Sequence, residues 1–287
     1  MGILKRIDRP ICLALGFFDG VHLGHRAVME KLKEVSAKHN ADSTVFTFSD
    51  NPKPTLPLIY SFNDRKKIIE GMGVECISKE FEKVKENCEV SFIVDLAAEF
   101  NIAAFVCGRD YRFGKNAKGN TKLLKMLSRV VKIEVHVVPH LMAGEKKISS
   151  TLIKKHIENG EIEIANSLLG DNYFMKGGVV KGRAVGRMLG IPTLNLNVMP
   201  DIVQLKEGVY RTITNYDGKK YSSLTHIGVT KTFNSDKIAC ETHIPNIDLG
   251  DLYGKEIKVE FLSRLRDTIK FSSPQDLAHH IKTIDMQ

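Results

Sequence analysis

Along the first half of the chain, short apolar runs alternate with segments whose apolar residues recur at helical spacing. The apolar runs lie at 11–16, 43–48, 74–78, 103–107 and 133–138, and each is short enough to read as a buried strand. Between them, helical patterns cover 24–39, 63–71, 90–100 and 121–130. In the first of these, Val28, Leu32 and Val35 share a stripe while Glu30, Lys31, Lys33 and Glu34 fill the other face. Repeated strand–helix units predict a parallel sheet covered on both faces, with ligands beyond the carboxyl ends of the strands. A helical pair follows at 149–159 and 161–169, with Gly160 and Gly170 at positions suited to left-handed helix ends. From 173 to 262 the pattern changes to short alternating runs separated by turns. The clearest is 209–214, then Asp217-Gly218, then 221–227, a hairpin signal because the turn needs positive φ. Another strand is expected at 257–261. Ser273, Pro274 and Asp276 mark the start of a closing helix with Leu277, Ile281 and Ile284 on one stripe. The fold class is therefore α/β, a parallel sheet followed by a small antiparallel barrel, with domains at 1–170 and 171–287.

Composition changes this picture little. The 287 residues are 43% hydrophobic and 26% charged, as in ordinary globular proteins. A formal charge of +8 favours an anionic partner without choosing among nucleotides, phosphorylated metabolites and nucleic acid. The five cysteines are scattered, with no Cys-x-x-Cys pair, and read mostly as buried reduced thiols. No apolar run reaches signal or transmembrane length, so the expectation is a cytoplasmic chain with no membrane partner. No aromatic–basic stripe of the kind single-stranded RNA binders use is present, which argues against nucleic acid.

The first strand runs into Gly16-Phe17-Phe18-Asp19-Gly20-Val21-His22-Leu23-Gly24-His25, which opens the first helix. A helix N-terminus carries unpaired N–H groups and partial positive charge, both suited to phosphate. His22 and His25, spaced by three, fall on one side of the first turn, where they can donate to triphosphate oxygens. Helix capping is the reading for isolated histidines, but on a glycine-rich strand-to-helix turn phosphate is favoured; zinc is a poor reading, with no Glu between them and no obvious third ligand. No P-loop is present. In the second half, residues 177–196 are dense in glycine and positive charge, and such a loop can wrap a phosphate. Thr193 and Asn195 fall on one face of an extended run, where two oxygens could hold magnesium or a nucleotide phosphate.

His-x-Gly-His resembles the signature of the nucleotidyltransferase superfamily, and the longer Phe-Asp-Gly-Val-His-Leu-Gly-His is similar to the N-terminal module of prokaryotic bifunctional riboflavin kinase/FMN adenylyltransferases, or FAD synthetases. Gly108 to Gly114, Phe48 to Lys53 and Ile148-Ser149-Ser150-Thr151 fit that family as well. Gly-Arg-Met-Leu-Gly-Ile-Pro-Thr-Leu-Asn, from Gly186 to Asn195, resembles the riboflavin kinase module. The likeness continues through Gly208-Val209-Tyr210, Glu241-Thr242-His243, Asp251 to Gly254 and Arg266 to Phe271. The resemblance implies a Rossmann-like nucleotidyltransferase domain and a six-stranded barrel. Together these would make FMN from riboflavin and FAD from FMN, with ATP as co-substrate and magnesium as cofactor.

Carried over residue by residue, it implies ATP contacts in the first module at Gly16, Phe17, Asp19, Gly20, His22, His25, Ser149, Ser150, Thr151 and Lys154. Flavin contacts are implied at Asp110, Arg112 and Phe113. In the kinase module it implies Gly182, Arg183, Gly186, Arg187, Gly190, Pro192, Thr193, Asn195 and Arg266 at ATP and flavin, with Thr193 and Asn195 on the metal. Glu241 matches the catalytic base. The chain departs from the family at Phe18 (usually Asn), Asn51 (usually His), Lys154 (usually Arg), His226 (usually Asn), Thr230-Lys231 and Thr268. Those departures leave a second reading, in which only one module is catalytic. A third is a flavin-sensing regulatory or RNA-binding module.

Overall fold

The computed structural model describes residues 9–181, 192–231, 236–245 and 252–269. The chain divides into two compact units, Met1–Ser150 and Thr151–Gln287.

In chain order the first unit contains β1 (Ile11–Leu15), α1 (Leu23–His39), β2 (Asp42–Phe48), α2 (Phe62–Gly71), β3 (Glu75–Lys79), α3 (Phe81–Val84), α4 (Glu89–Glu99) and β4 (Ile102–Gly108). It continues with β5 (Arg112–Phe113), β6 (Gly119–Asn120), α5 (Thr121–Val130), β7 (Glu134–Val138), β8 (Met142–Ala143) and β9 (Lys146–Lys147). The five long strands lie in the order β3-β2-β1-β4-β7, all parallel. Every residue of β1 is buried, because alternate side chains feed two separate cores. Cys12 and Ala14 meet Val28, Met29 and Leu32 of α1; Ile11, Leu13 and Leu15 join Phe92, Ile93 and Leu96 of α4 and Leu124 of α5. The order reverses at β1, with β2 on one side and β4 on the other. The crevice at the carboxyl ends of β1 and β4 is thus the expected ligand position.

The second unit starts with α6 (Ser150–Glu158, whose first residue closes the first unit) and α7 (Ile162–Leu169). Gly160 (φ 76°) and Gly170 (φ 74°) take the left-handed conformation their positions require. The strands β10 (Phe174–Val180), β11 (Thr193–Val198), β12 (Gly208–Tyr216), β13 (Lys219–Lys231), β14 (Asp236–His243) and β15 (Glu256–Arg266) form a closed barrel, β10-β11-β14-β13-β12-β15. All its pairings are antiparallel. The β12–β13 turn is Asp217-Gly218, both at positive φ. One buried side of the barrel wall carries a hydroxyl network. Thr212 bonds Ser223 (2.8 Å) and Thr225 (2.9 Å), and Thr225 bonds Thr242 (2.9 Å). Each hydroxyl can both donate and accept, so these buried groups satisfy one another. The closing helix expected from Ser273 lies outside the described residues.

Candidate functional sites in the two units

The loop from β1 to α1 is held in an unusual shape. Phe18 (φ 56°), Gly20 (φ 84°) and Val21 (φ 43°) all take left-handed backbone conformations, uncommon for Phe and a clear outlier for β-branched Val. Gly16 permits this: a Cβ there would stand 2.8 Å from the Phe18 ring. Phe18 and Val21 are buried among the α1-side core, so apolar burial holds the strain. A second brace is the fully buried Arg65 of α2. Its guanidinium donates to the Phe17 carbonyl, to Thr47 Oγ1 (3.3 Å) and to the Phe48 carbonyl (3.1 Å), and lies 4.2 Å over the Phe17 ring. Asp19 is buried and accepts from Ile59 N–H (2.9 Å), while its carbonyl accepts from Ser150 Oγ (2.8 Å). Phe17 is therefore braced by α2 and β2, and Asp19 by Ile59 and Ser150.

At the mouth of α1, His22 is the N-cap, its Nδ1 accepting from His25 N–H at 3.3 Å. A neutral imidazole that accepts at Nδ1 carries its proton on Nε2, leaving that N–H as a donor. The two rings stack with centroids 3.6 Å apart, and Phe18 meets His25 edge-on at 5.3 Å. Burial and then the charge of Lys147 push the His22 pKa down to about 4. Burial, then His22 itself, then Arg65 lower that of His25. Both rings are thus neutral donors at neutral pH, and His25 Nδ1 is buried with no hydrogen-bond partner among the described residues. Capping and ligand contact are compatible here, because they use different ring edges.

The β4 end supplies the other wall. Asp110 pairs with Lys147 of β9 and lies 4.0 Å from His140 Nδ1. Burial works against the Asp110 carboxylate, but the Lys147 contact prevails and holds its pKa below the ordinary value. Arg112 is exposed. Phe113 is buried against Phe92 and stacks on Tyr111, with centroids 5.7 Å apart, so its ring belongs to the core. Ser149 and Ser150 close the first unit, whereas Thr151 and Lys154 belong to the second.

In the barrel, strand register does the assembling. Asn195 of β11 pairs with Glu241 of β14, which pairs with His226 of β13; His226 pairs with Val209 of β12, and Val209 with Arg266 of β15. Directly paired residues share a face, so Asn195, Glu241, His226 and Arg266 form one row across the wall. Thr193 pairs with His243 one step along that face, and His243 Nδ1 donates to the Pro192 carbonyl at 2.9 Å. Burial lowers the His226 pKa, Glu241 pulls it up and Arg266 pushes it down again. Gly182, Arg183, Gly186, Arg187 and Gly190 lie outside the described residues, as do Lys270 and Phe271 of the last motif.

Residues 4–152 match the FAD synthetase family, and residues 169–286 match the riboflavin kinase family. The chain belongs to the bifunctional riboflavin kinase/FMN adenylyltransferase family. The relative of that name from Listeria monocytogenes is 32% identical over 92% of this chain and 87% of its own length. Its counterpart from Bacillus subtilis is 30% identical over 98% and 92%. The crystal structure of a Streptococcus pneumoniae protein named a macrolide-efflux protein superposes with a TM-score of 0.89, at 29% identity, over 97% of this chain and 93% of that one. Among the described residues of this chain, no helix is long and apolar enough to cross a membrane. Because each half matches its own family, the one-module reading gains no support.

Within this family frame, sequence reasoning missed Arg65, Lys147 and the inclusion of His226 in the Glu241 row. Arg65 sits in an amphipathic helix, where an arginine reads as solvated. Lys147 precedes a motif and looks like a surface charge. His226 registers in sequence only as a departure from the family's Asn. Asn51, another departure, serves its own loop, where its side chain donates to the Leu56 carbonyl (2.8 Å) and accepts from Lys53 N–H (3.0 Å).

Proposed function

We propose that residues 1–170 form the FMN adenylyltransferase domain and residues 171–287 the riboflavin kinase domain, each working through its own residues. The chain is an ATP-using flavin-cofactor enzyme, as its family is. In the barrel, the ribityl 5′-hydroxyl of riboflavin attacks the γ-phosphorus of ATP, the bond to ADP breaks, and the hydroxyl proton passes to Glu241. In the first unit, an oxygen of the FMN phosphate attacks the α-phosphorus of a second ATP, and pyrophosphate leaves. His22 and His25 donate to the triphosphate as charge builds on it, with Ser149 and Ser150 as further phosphate contacts and Asp110 and Arg112 toward the flavin.

The observation that carries this reading is the stacked, neutral histidine pair at the mouth of α1, beside the point where the strand order reverses. A preorganised, dry donor pair meets developing negative charge without reorganising. The kinase assignment is supported by the row of Asn195, Glu241, His226 and Arg266. Magnesium suits this donor set: Thr193 and Asn195 would hold it through hydroxyl and amide oxygens, the hard ligands it prefers. Bound there, it would neutralise charge on the transferring phosphoryl group. The reading carries with it a cytoplasmic setting, where ATP is supplied.

The test is to incubate the purified chain with riboflavin, ATP and magnesium and to resolve the flavins by chromatography. FMN should appear first and FAD after it. FMN that never proceeds to FAD would reject the adenylyltransferase assignment, and FAD formed only from supplied FMN would reject the kinase assignment.

A further inference from the structure

At the end of the sheet away from the histidine mouth, a second cluster of imidazoles surrounds a carboxylate. His39 is the last residue of α1, and Glu134 and His136 are the first and third residues of β7. Two apart on a strand, Glu134 and His136 share a face. β7 is an edge strand, and α1 packs against it. Glu134 Oε2 lies 3.3 Å from His39 Nε2 and 3.1 Å from His136 Nε2, and the three ligand atoms all fall within 4.8 Å of one another. In a tetrahedral site with bonds of about 2.0–2.1 Å, neighbouring ligand atoms stand roughly 3.3–3.4 Å apart. Two of the three edges already have about that length.

We infer that His39, Glu134 and His136 form a site for a divalent transition-metal ion of the zinc class, separate from both catalytic sites. Two imidazoles and one carboxylate are the donor set such ions favour, and the site leaves a coordination position for water. Magnesium and calcium are poor candidates, since they take oxygen ligands. The neighbours sharpen that choice. Lys125, Arg129 and Lys132 line the same hollow as Glu134 and His136, and their charge opposes a cation held by electrostatics alone. An ion that bonds imidazole nitrogen is less dependent on the local field. The C-terminal end of α1, with its partial negative charge, adds a favourable contribution at His39. Without metal, the same atoms make hydrogen bonds between Glu134 and the two rings, which keeps the ligands near their binding positions. A bound ion would fasten the last turn of α1 to the edge strand.

The test uses the full chain, stripped with a chelator and dialysed, with zinc and cobalt(II) as probes. Calorimetric titration with zinc should show a tight class of about one ion per chain, and cobalt(II) should give the visible absorption of a low-coordinate nitrogen–oxygen site. His39→Ala and His136→Ala should each weaken that class by at least about tenfold and remove the cobalt band, while riboflavin phosphorylation and FMN adenylation remain unchanged. Zinc should raise the Tm of the parent chain and fail to raise that of Glu134→Gln, a near-isosteric variant that keeps the fold testable. Zinc binding whose stoichiometry, affinity and cobalt spectrum are the same in all three variants would overturn the proposal. So would the absence of any tight class in the parent.

Discussion

In the first unit, His22, His25 and Asp110 lie where the chain leaves β1 and β4; in the barrel Thr193, Asn195, Glu241 and Arg266 lie within the strands themselves. The contrast extends to what fixes them. His22 and His25 owe their positions to a loop with three left-handed residues, a glycine under the Phe18 ring and a buried arginine that grips two carbonyls. Asn195, Glu241 and His226 owe theirs to strand pairing alone. A site built on a strained loop can offer dry, neutral donors, but it depends on distant braces. A site built on strand register is held by the ladder of backbone hydrogen bonds, so single side chains there can change with little effect on its frame. His226 replaces the usual Asn within the row, whereas Phe18 stands at a left-handed position that Asn would adopt with less strain.

The largest expected effect separates the units chemically. Glu241→Gln should lower riboflavin phosphorylation by ~10²–10⁴-fold, the usual range for a general base, with FMN adenylation unchanged in a flavin assay started from FMN. An equal loss of both activities would contradict separate sites.

The mirror experiment is His25→Ala, which leaves the backbone N–H that His22 caps. FMN adenylation should fall by ~10²–10³-fold, and riboflavin phosphorylation should persist.

The third effect is on stability. The His22 pKa is about 4 in the folded chain against an ordinary 6.5, so unfolding takes up a proton between those values. Its contribution is fully present above pH 6.5 and is lost as the pH falls towards 4. The loss amounts to about 3 kcal/mol at the acid end. His22→Asn, which can still cap α1, should flatten that acid dependence in urea titrations that follow loss of the first unit's structure. An unchanged slope would show that His22 titrates normally.

A smaller effect belongs to Arg65. Arg65→Met keeps an unbranched apolar stem but strips donors from the Phe17 and Phe48 carbonyls, costing about 2 kcal/mol of stability. Adenylation should fall as the loop loses its brace, and phosphorylation should not.

Much of the fold was legible from periodicity. The five strands of the parallel sheet and its long helices fall within a residue or two of the positions their patterns predict, because each apolar stripe faces one of two cores. The Asp217-Gly218 turn was equally plain, since only a positive-φ pair closes that hairpin. What escaped depends on distant partners. The short α3 has no side-chain cap of its own; Phe81 and Glu82 N–H are capped by Asp50, about thirty residues earlier in the chain. The Asp110–Lys147 pair, the Arg65 brace and the His39–Glu134–His136 cluster likewise join residues that no local window contains. The His22–His25 mouth was visible because all its parts lie in one motif. The Glu241 row became visible only once register aligned five strands.

The most direct test of two self-sufficient sites is complementation. Glu241→Gln and His25→Ala should each fail to convert riboflavin to FAD, the first for want of FMN and the second for want of adenylation. Mixed in equal amounts with ATP and magnesium, they should make FAD, because FMN released by one molecule serves the other. A mixture that yields no FAD, from two variants that each keep their remaining activity, would contradict the account.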